Sequence, residues 1–153
     1  MRRENKVTRV AAFLAGLGLM LTPLSASASG GVWCEAKDEN LAFDFSAGFS
    51  RDGAGWWFGI QGNVVSKVDR LPADLAKFAI TSETIPERWL DRDSVRLQIE
   101  KTGDERQNFA SVRLTVSTVA LEEAAYKGAY LLDVRLPDGS EVTRDGIVSC
   151  SAE

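Results

Sequence analysis

The stretch YLLDVRLPDGSEVTRDGIVSC, residues 130–150, sets the architecture. Tyr130, Leu132, Val134 and Leu136 place an apolar side chain at every second position, with Leu131, Asp133 and Arg135 between them. A period of two puts one face of an extended strand in a core and the other toward water. Pro137-Asp138-Gly139-Ser140 then breaks the alternation, because proline presets φ for a turn and glycine accepts positive φ. Val142 to Cys150 follows as a last strand, with an interruption expected near Gly146.

The same signature recurs upstream. Leu41, Phe43, Phe45, Ala47 and Phe49 alternate with Ala42, Asp44, Ser46 and Gly48. A turn is expected over Arg51–Gly55 and another at Gln61-Gly62-Asn63. Between them Trp56, Phe58 and Ile60 read as one face of a strand, and Val64 to Val68 as the next strand. Val95, Leu97 and Ile99 form a further set, then Val112, Leu114, Val116 and Thr118 after a polar loop from Thr102 to Asn108. Leu121 to Lys127 reads as a break before Tyr130. Leu71, Leu75 and Phe78 fall at helical spacing behind Pro72, which predicts one short helix over about Pro72–Phe78. Thr81 to Asp93 reads as irregular, with Pro86 biasing Ile85 away from helix. Together these signals predict an all-β chain, or a β-rich one with one short helix. The expected form is an antiparallel β-sandwich or barrel of about eight strands.

The chain has two cysteines, Cys34 and Cys150, one near each end of the predicted domain. Bulky Trp33 directly before Cys34 does not suit a lipid-modified cysteine. A redox pair is usually close in sequence, as in Cys-x-x-Cys. An even cysteine count in an exported chain points instead to a structural disulfide joining the first and last strands.

Export is itself an expectation from the amino terminus. Arg2, Arg3, Lys6 and Arg9 precede an uncharged apolar run from Val10 to Thr22, followed by Ala26-Ser27-Ala28. That order is the pattern of a cleaved secretory signal peptide over residues 1–28, leaving one β-rich domain over 29–153. The apolar run is shorter than the roughly 20 residues a membrane-spanning helix needs. The mature chain is thus expected to have no membrane span and to be periplasmic or secreted through the general secretory pathway.

Residues 1–28 hold four of the 18 basic and one of the 22 acidic residues. The remainder has 14 basic and 21 acidic residues, a net charge of −7. That charge argues against nucleic acid as a partner and toward a cationic one. The sequence contains no histidine, which removes Ser-His-Asp, Cys-His and His-ligated zinc chemistry. No residue pattern calls for a metal or another cofactor.

Two groups are candidate sites. Trp33, Trp56 and Trp57 are possible binding residues, since a surface tryptophan stacks on a sugar ring or anchors a protein partner. Adjacent strand residues point to opposite faces, so Trp56 and Trp57 are not expected on the same side, and Trp33 is expected to face away from Cys34. Glu87, Asp91 and Asp93 form a weaker carboxylate cluster with Arg88 and Arg92 interleaved. The sequence therefore favours a non-catalytic interaction or binding module for a cationic protein or an envelope glycan. The other readings are a glycan-directed enzyme using carboxylates, and a carrier holding an apolar molecule among Phe43, Phe45, Trp56 and Leu114.

Overall fold

A computed structural model describes residues 29–50 and 57–153. Nine strands form one antiparallel sheet: β1 (Ser29–Lys37), β2 (Leu41–Ser50), β3 (Trp57–Ser66), β4 (Lys77–Ala79), β5 (Glu87–Leu90), β6 (Val95–Thr102), β7 (Ser111–Glu122), β8 (Ala125–Arg135) and β9 (Glu141–Ala152). One helical turn, α1 (Ala73–Ala76), precedes β4. The spatial order is β4-β3-β2-β1-β9-β8-β7-β6-β5. This is the chain order cut once, between β4 and β5, and closed where the first strand meets the last.

Alternating apolar residues of every long strand point into a single core that includes Val32, Phe43, Phe45, Ile99, Leu114, Tyr130, Leu132 and Val148. Each fully buried aliphatic side chain of this kind contributes about 1.5–3 kcal/mol relative to an exposed one. The sheet curls around the core so that its two edges approach. Lys101 Nζ of β6 lies 5.3 Å from the centre of the Phe78 ring of β4. Gln107, in the β6–β7 connection, donates to Asp74 of α1 at 2.8 Å. Both edge strands are short, which limits their exposed hydrogen-bonding backbone.

Cys34 and Cys150 are direct partners across β1 and β9 and are disulfide-bonded. The ladder around them has four pairs, Val32–Ala152 to Glu35–Ser149. The bond therefore clamps the junction between the β1–β4 meander and the β5–β9 meander.

Five local expectations are corrected. Gln61-Gly62-Asn63 is not a turn, because β3 runs through it paired to Phe45, Asp44 and Ser46. The alternation of β3 changes phase at a bulge, where Gly59 takes φ +60 and Ala47 faces an extra residue between Phe58–Gly48 and Gln61–Ser46. Phe58 is consequently outside and Ile60 inside, rather than both on one face. Thr81–Asp93 holds β5, and Leu121–Lys127 is strand on both sides of a two-residue turn at Glu123-Ala124.

The last correction concerns Gly146, which does not interrupt β9. A Cβ there would lie 2.6 Å from the hydroxyl of Tyr130, its partner on β8. Glycine leaves the room for that phenol to cross to the β1–β2 turn. There it donates to Asp38 Oδ2 at 2.5 Å. The other oxygen of Asp38 accepts the backbone N–H groups of Asn40 and Leu41. Burial works against the charge of Asp38. The hydrogen bonds from Tyr130, Asn40 and Leu41, with the nearby Lys67, outweigh it and hold the carboxyl below its ordinary range. Burial and then the bond to Asp38 push the Tyr130 phenol above its ordinary value of 10.0.

Candidate functional site

Strand alternation in β1 turns Val32, Cys34 and Ala36 inward and leaves Trp33, Glu35 and Lys37 on the outer face. Trp33 is 45% exposed and points away from the disulfide. Its lateral neighbours are Ser46 of β2 and Ser151 of β9. One step along β1, Glu35 stands between Asp44 and Ser149. One step the other way, Gly31 stands opposite Gly48. Glu153, just past β9, exchanges both backbone hydrogen bonds with Gly31 at 2.9 Å each.

The two glycines lie under aromatic rings. A Cβ on Gly31 would be 2.5 Å from Cη2 of Trp33, and one on Gly48 would be 2.4 Å from Cε2 of Phe58. Both aromatic side chains are therefore folded down onto the sheet. Glycine weakens a strand because it has no side chain to pack, and a covering ring offsets that loss. The outcome is an aromatic platform in which Phe58 remains 52% exposed.

Beside the platform the charges are not balanced within the fold. Glu35 and Asp44 are exposed and face each other directly across the β1–β2 ladder. Like charges in that position repel. Asp44 accepts two long contacts of 3.4 Å from Asn63 Nδ2. The ion pairs among the described residues are Arg70–Asp138, Arg106–Asp104 and Arg113–Glu100, so neither carboxylate takes part in one. A shallow groove of about 490 Å³ runs over this face, lined by Trp33, Glu35, Asp44, Ser46, Ser149 and Ser151 among others. The arrangement offers a flat apolar surface for stacking and two anionic acceptors beside it.

The remaining candidates sit elsewhere. Trp57 is inward and half-buried, its ring centre 5.7 Å from that of Phe45. Trp56 lies outside the described residues, as do residues 1–28. Glu87 is on β5 opposite Gln98, while Asp91 and Asp93 lie in the β5–β6 turn. Asp91 is fully engaged in that turn. One oxygen accepts from Asp93 N, Ser94 N and Ser94 Oγ, and the other accepts from Trp89 Nε1 at 2.7 Å. The Trp89 indole bond, ahead of the Asp93 N–H, holds Asp91 below the usual carboxylate range. Among the described residues there is no group of three or more histidine, cysteine, aspartate or glutamate residues able to hold a metal ion. Phe43, Phe45 and Leu114 belong to the core. The Thr102–Asn108 loop is tied to the body, with Asn108 Nδ2 donating to Pro137 O at 2.8 Å as well as Gln107 to Asp74.

Sequence reasoning did not single out Glu35, Asp44 and Phe58. The available signal was Asp38-Glu39-Asn40, a run of turn-forming residues. With Asp38 paired to Leu41 around Glu39-Asn40, the turn sets Lys37 opposite Ala42 and hence Glu35 opposite Asp44. Comparison with protein-family models, curated proteins and solved structures finds no match to this chain.

Proposed function

We propose that this protein is a non-catalytic binding module of the periplasm or extracellular space, working through the outer face around Trp33. The observation that carries this reading is the aromatic platform of Trp33 and Phe58 set beside two carboxylates that the fold does not neutralise. A disulfide closing the sheet suits an oxidising compartment. No helix among the described residues is long and apolar enough to cross a membrane. The absence of histidine and the engagement of Asp91 in its own turn favour binding over catalysis. Partners compatible with the face are a cationic protein and an envelope glycan.

The test is affinity capture from envelope extract with the full-length protein as bait, in parallel with a Trp33→Ala bait, followed by mass spectrometry. A partner retained by the first and lost by the second supports the module. An identical set of captured molecules from both baits at high bait concentration removes this face as its working surface.

A further inference from the structure

Resting on that reading, we infer that the occupant of the β1–β2 face is an arginine-bearing segment of a cationic protein, with one guanidinium over Trp33 and against Glu35 and Asp44. Charge complementarity selects this occupant. Residues 29–153 carry a net charge of −7, and the two carboxylates nearest the platform repel each other in the free protein. Glu153, exposed and paired by its backbone with Gly31, adds a third acidic residue on the other side of Trp33. A neutral sugar stacks on the ring but leaves that repulsion in place. A cation between Glu35 and Asp44 relieves it and converts a cost of the free state into affinity.

Arginine suits the site better than lysine for geometric reasons. Its planar guanidinium stacks on an indole while offering donors in a fork that matches a carboxylate. Trp33 folds over Gly31, away from Glu35 two residues along the same strand face, and Trp33, Glu35 and Asp44 line the one groove between them. Ser46 and Ser151, on either side of Trp33, supply hydroxyls for the backbone of an extended partner segment. Lys37 and Lys127 share this outer face but form no ion pair with either carboxylate, so the anionic positions remain available to an incoming charge.

The experiment is calorimetric titration of the full chain with three probes: a peptide of alternating arginine and glycine, the matching glutamate–glycine peptide, and chitotetraose. The expected result is binding of the arginine peptide alone, weakening as salt is raised. Trp33→Ala and the double change Glu35→Gln with Asp44→Asn should each reduce it by about tenfold or more. Glu83→Gln with Glu87→Gln, which removes two exposed charges at the β5 edge of the sheet, should leave it within about twofold, as expected of charges away from the contact. An equal loss in both double variants would mean non-specific attraction to an acidic surface and would overturn the proposal. Chitotetraose binding lost in Trp33→Ala, with no arginine-peptide binding, would overturn this occupant while leaving the binding module intact. No binding of any probe would overturn it as well, and the affinity capture then decides the module separately.

Discussion

Trp33 and Trp89 are both exposed tryptophans on one sheet, and the fold treats them differently. Trp89 gives its indole N–H to Asp91, whose other oxygen caps the β5–β6 turn, so ring and carboxylate complete one another. The outer face beside it is knitted in the same way. Glu100 pairs with Arg113 and accepts from Gln98, and Asp133 accepts from Thr143. Near Trp33, Glu35 and Asp44 face each other across the ladder and neither takes part in an ion pair. Charge on a solvated sheet is usually settled by cross-strand neighbours, as on the β6–β9 side. The β1–β2 side departs from that rule, and such a departure at an exposed aromatic is where a partner's chemistry belongs.

The largest expected effect concerns the clamp between the two sides. Replacing both cysteines by serine should cost about 4–5 kcal/mol by the chain-entropy account, measured by denaturant unfolding. A loss below about 1 kcal/mol would mean that the four-pair β1–β9 ladder holds the sides together without the bond. Free-thiol labelling of the denatured, unreduced protein gives the companion check, and two labelled cysteines would refute the disulfide.

Next in size is the Tyr130–Asp38 bond, which ties β8 to the β1–β2 turn. Tyr130→Phe should cost about 1–2 kcal/mol near neutral pH, a hydrogen bond to a charged group discounted for partial exposure. Its pH dependence has a definite sign. The phenol titrates above 10.0 when folded, so its contribution is complete below that value and is lost as pH rises beyond it. Asp38 titrates below 3.8 when folded, so its contribution is complete above that value and is lost as pH falls beyond it. Wild-type stability should therefore drop more steeply than that of Tyr130→Phe above pH 10.0, and parallel curves there would contradict the assignment.

Smaller effects separate the two outer faces directly. A double-mutant cycle on Arg113 and Glu100 should return a favourable coupling of about 0.2–1 kcal/mol, reduced by salt. The same cycle on Glu35 and Asp44 should return the opposite sign at a few tenths of a kcal/mol, so that Glu35→Gln is neutral or stabilising. A destabilising Glu35→Gln would show that the free protein already satisfies that charge.

Much of the architecture was legible in the sequence because it rests on period-two alternation and turn residues. The inward positions of β2, β6, β7 and β8 follow the pattern residue by residue, and the two cysteines fall on facing partners. Alternation fails where the backbone inserts a residue. The Gly59 bulge reverses the phase of β3, which is why Phe58 emerges beside Trp33 and Ile60 packs inside. Edge strand β5 was missed because Glu87-Arg88-Trp89-Leu90 is short and its charges mask the pattern. The outward direction of Trp33 follows from its parity with Cys34, but the acidic residue opposite Glu35 depends on cross-strand register, which periodicity alone leaves open.

The central claim is that the Trp33 face, and not the Trp89 face, receives a cationic partner. Amide and indole chemical-shift mapping of the full chain during titration with the arginine–glycine peptide tests it most directly. The predicted result is a contiguous set of shifts at Gly31, Trp33, Glu35, Asp44, Ser46, Phe58 and Ser151, with the Trp89 indole unmoved. Shifts centred on Trp89 and the β5–β6 turn, or scattered over every acidic residue, would contradict it.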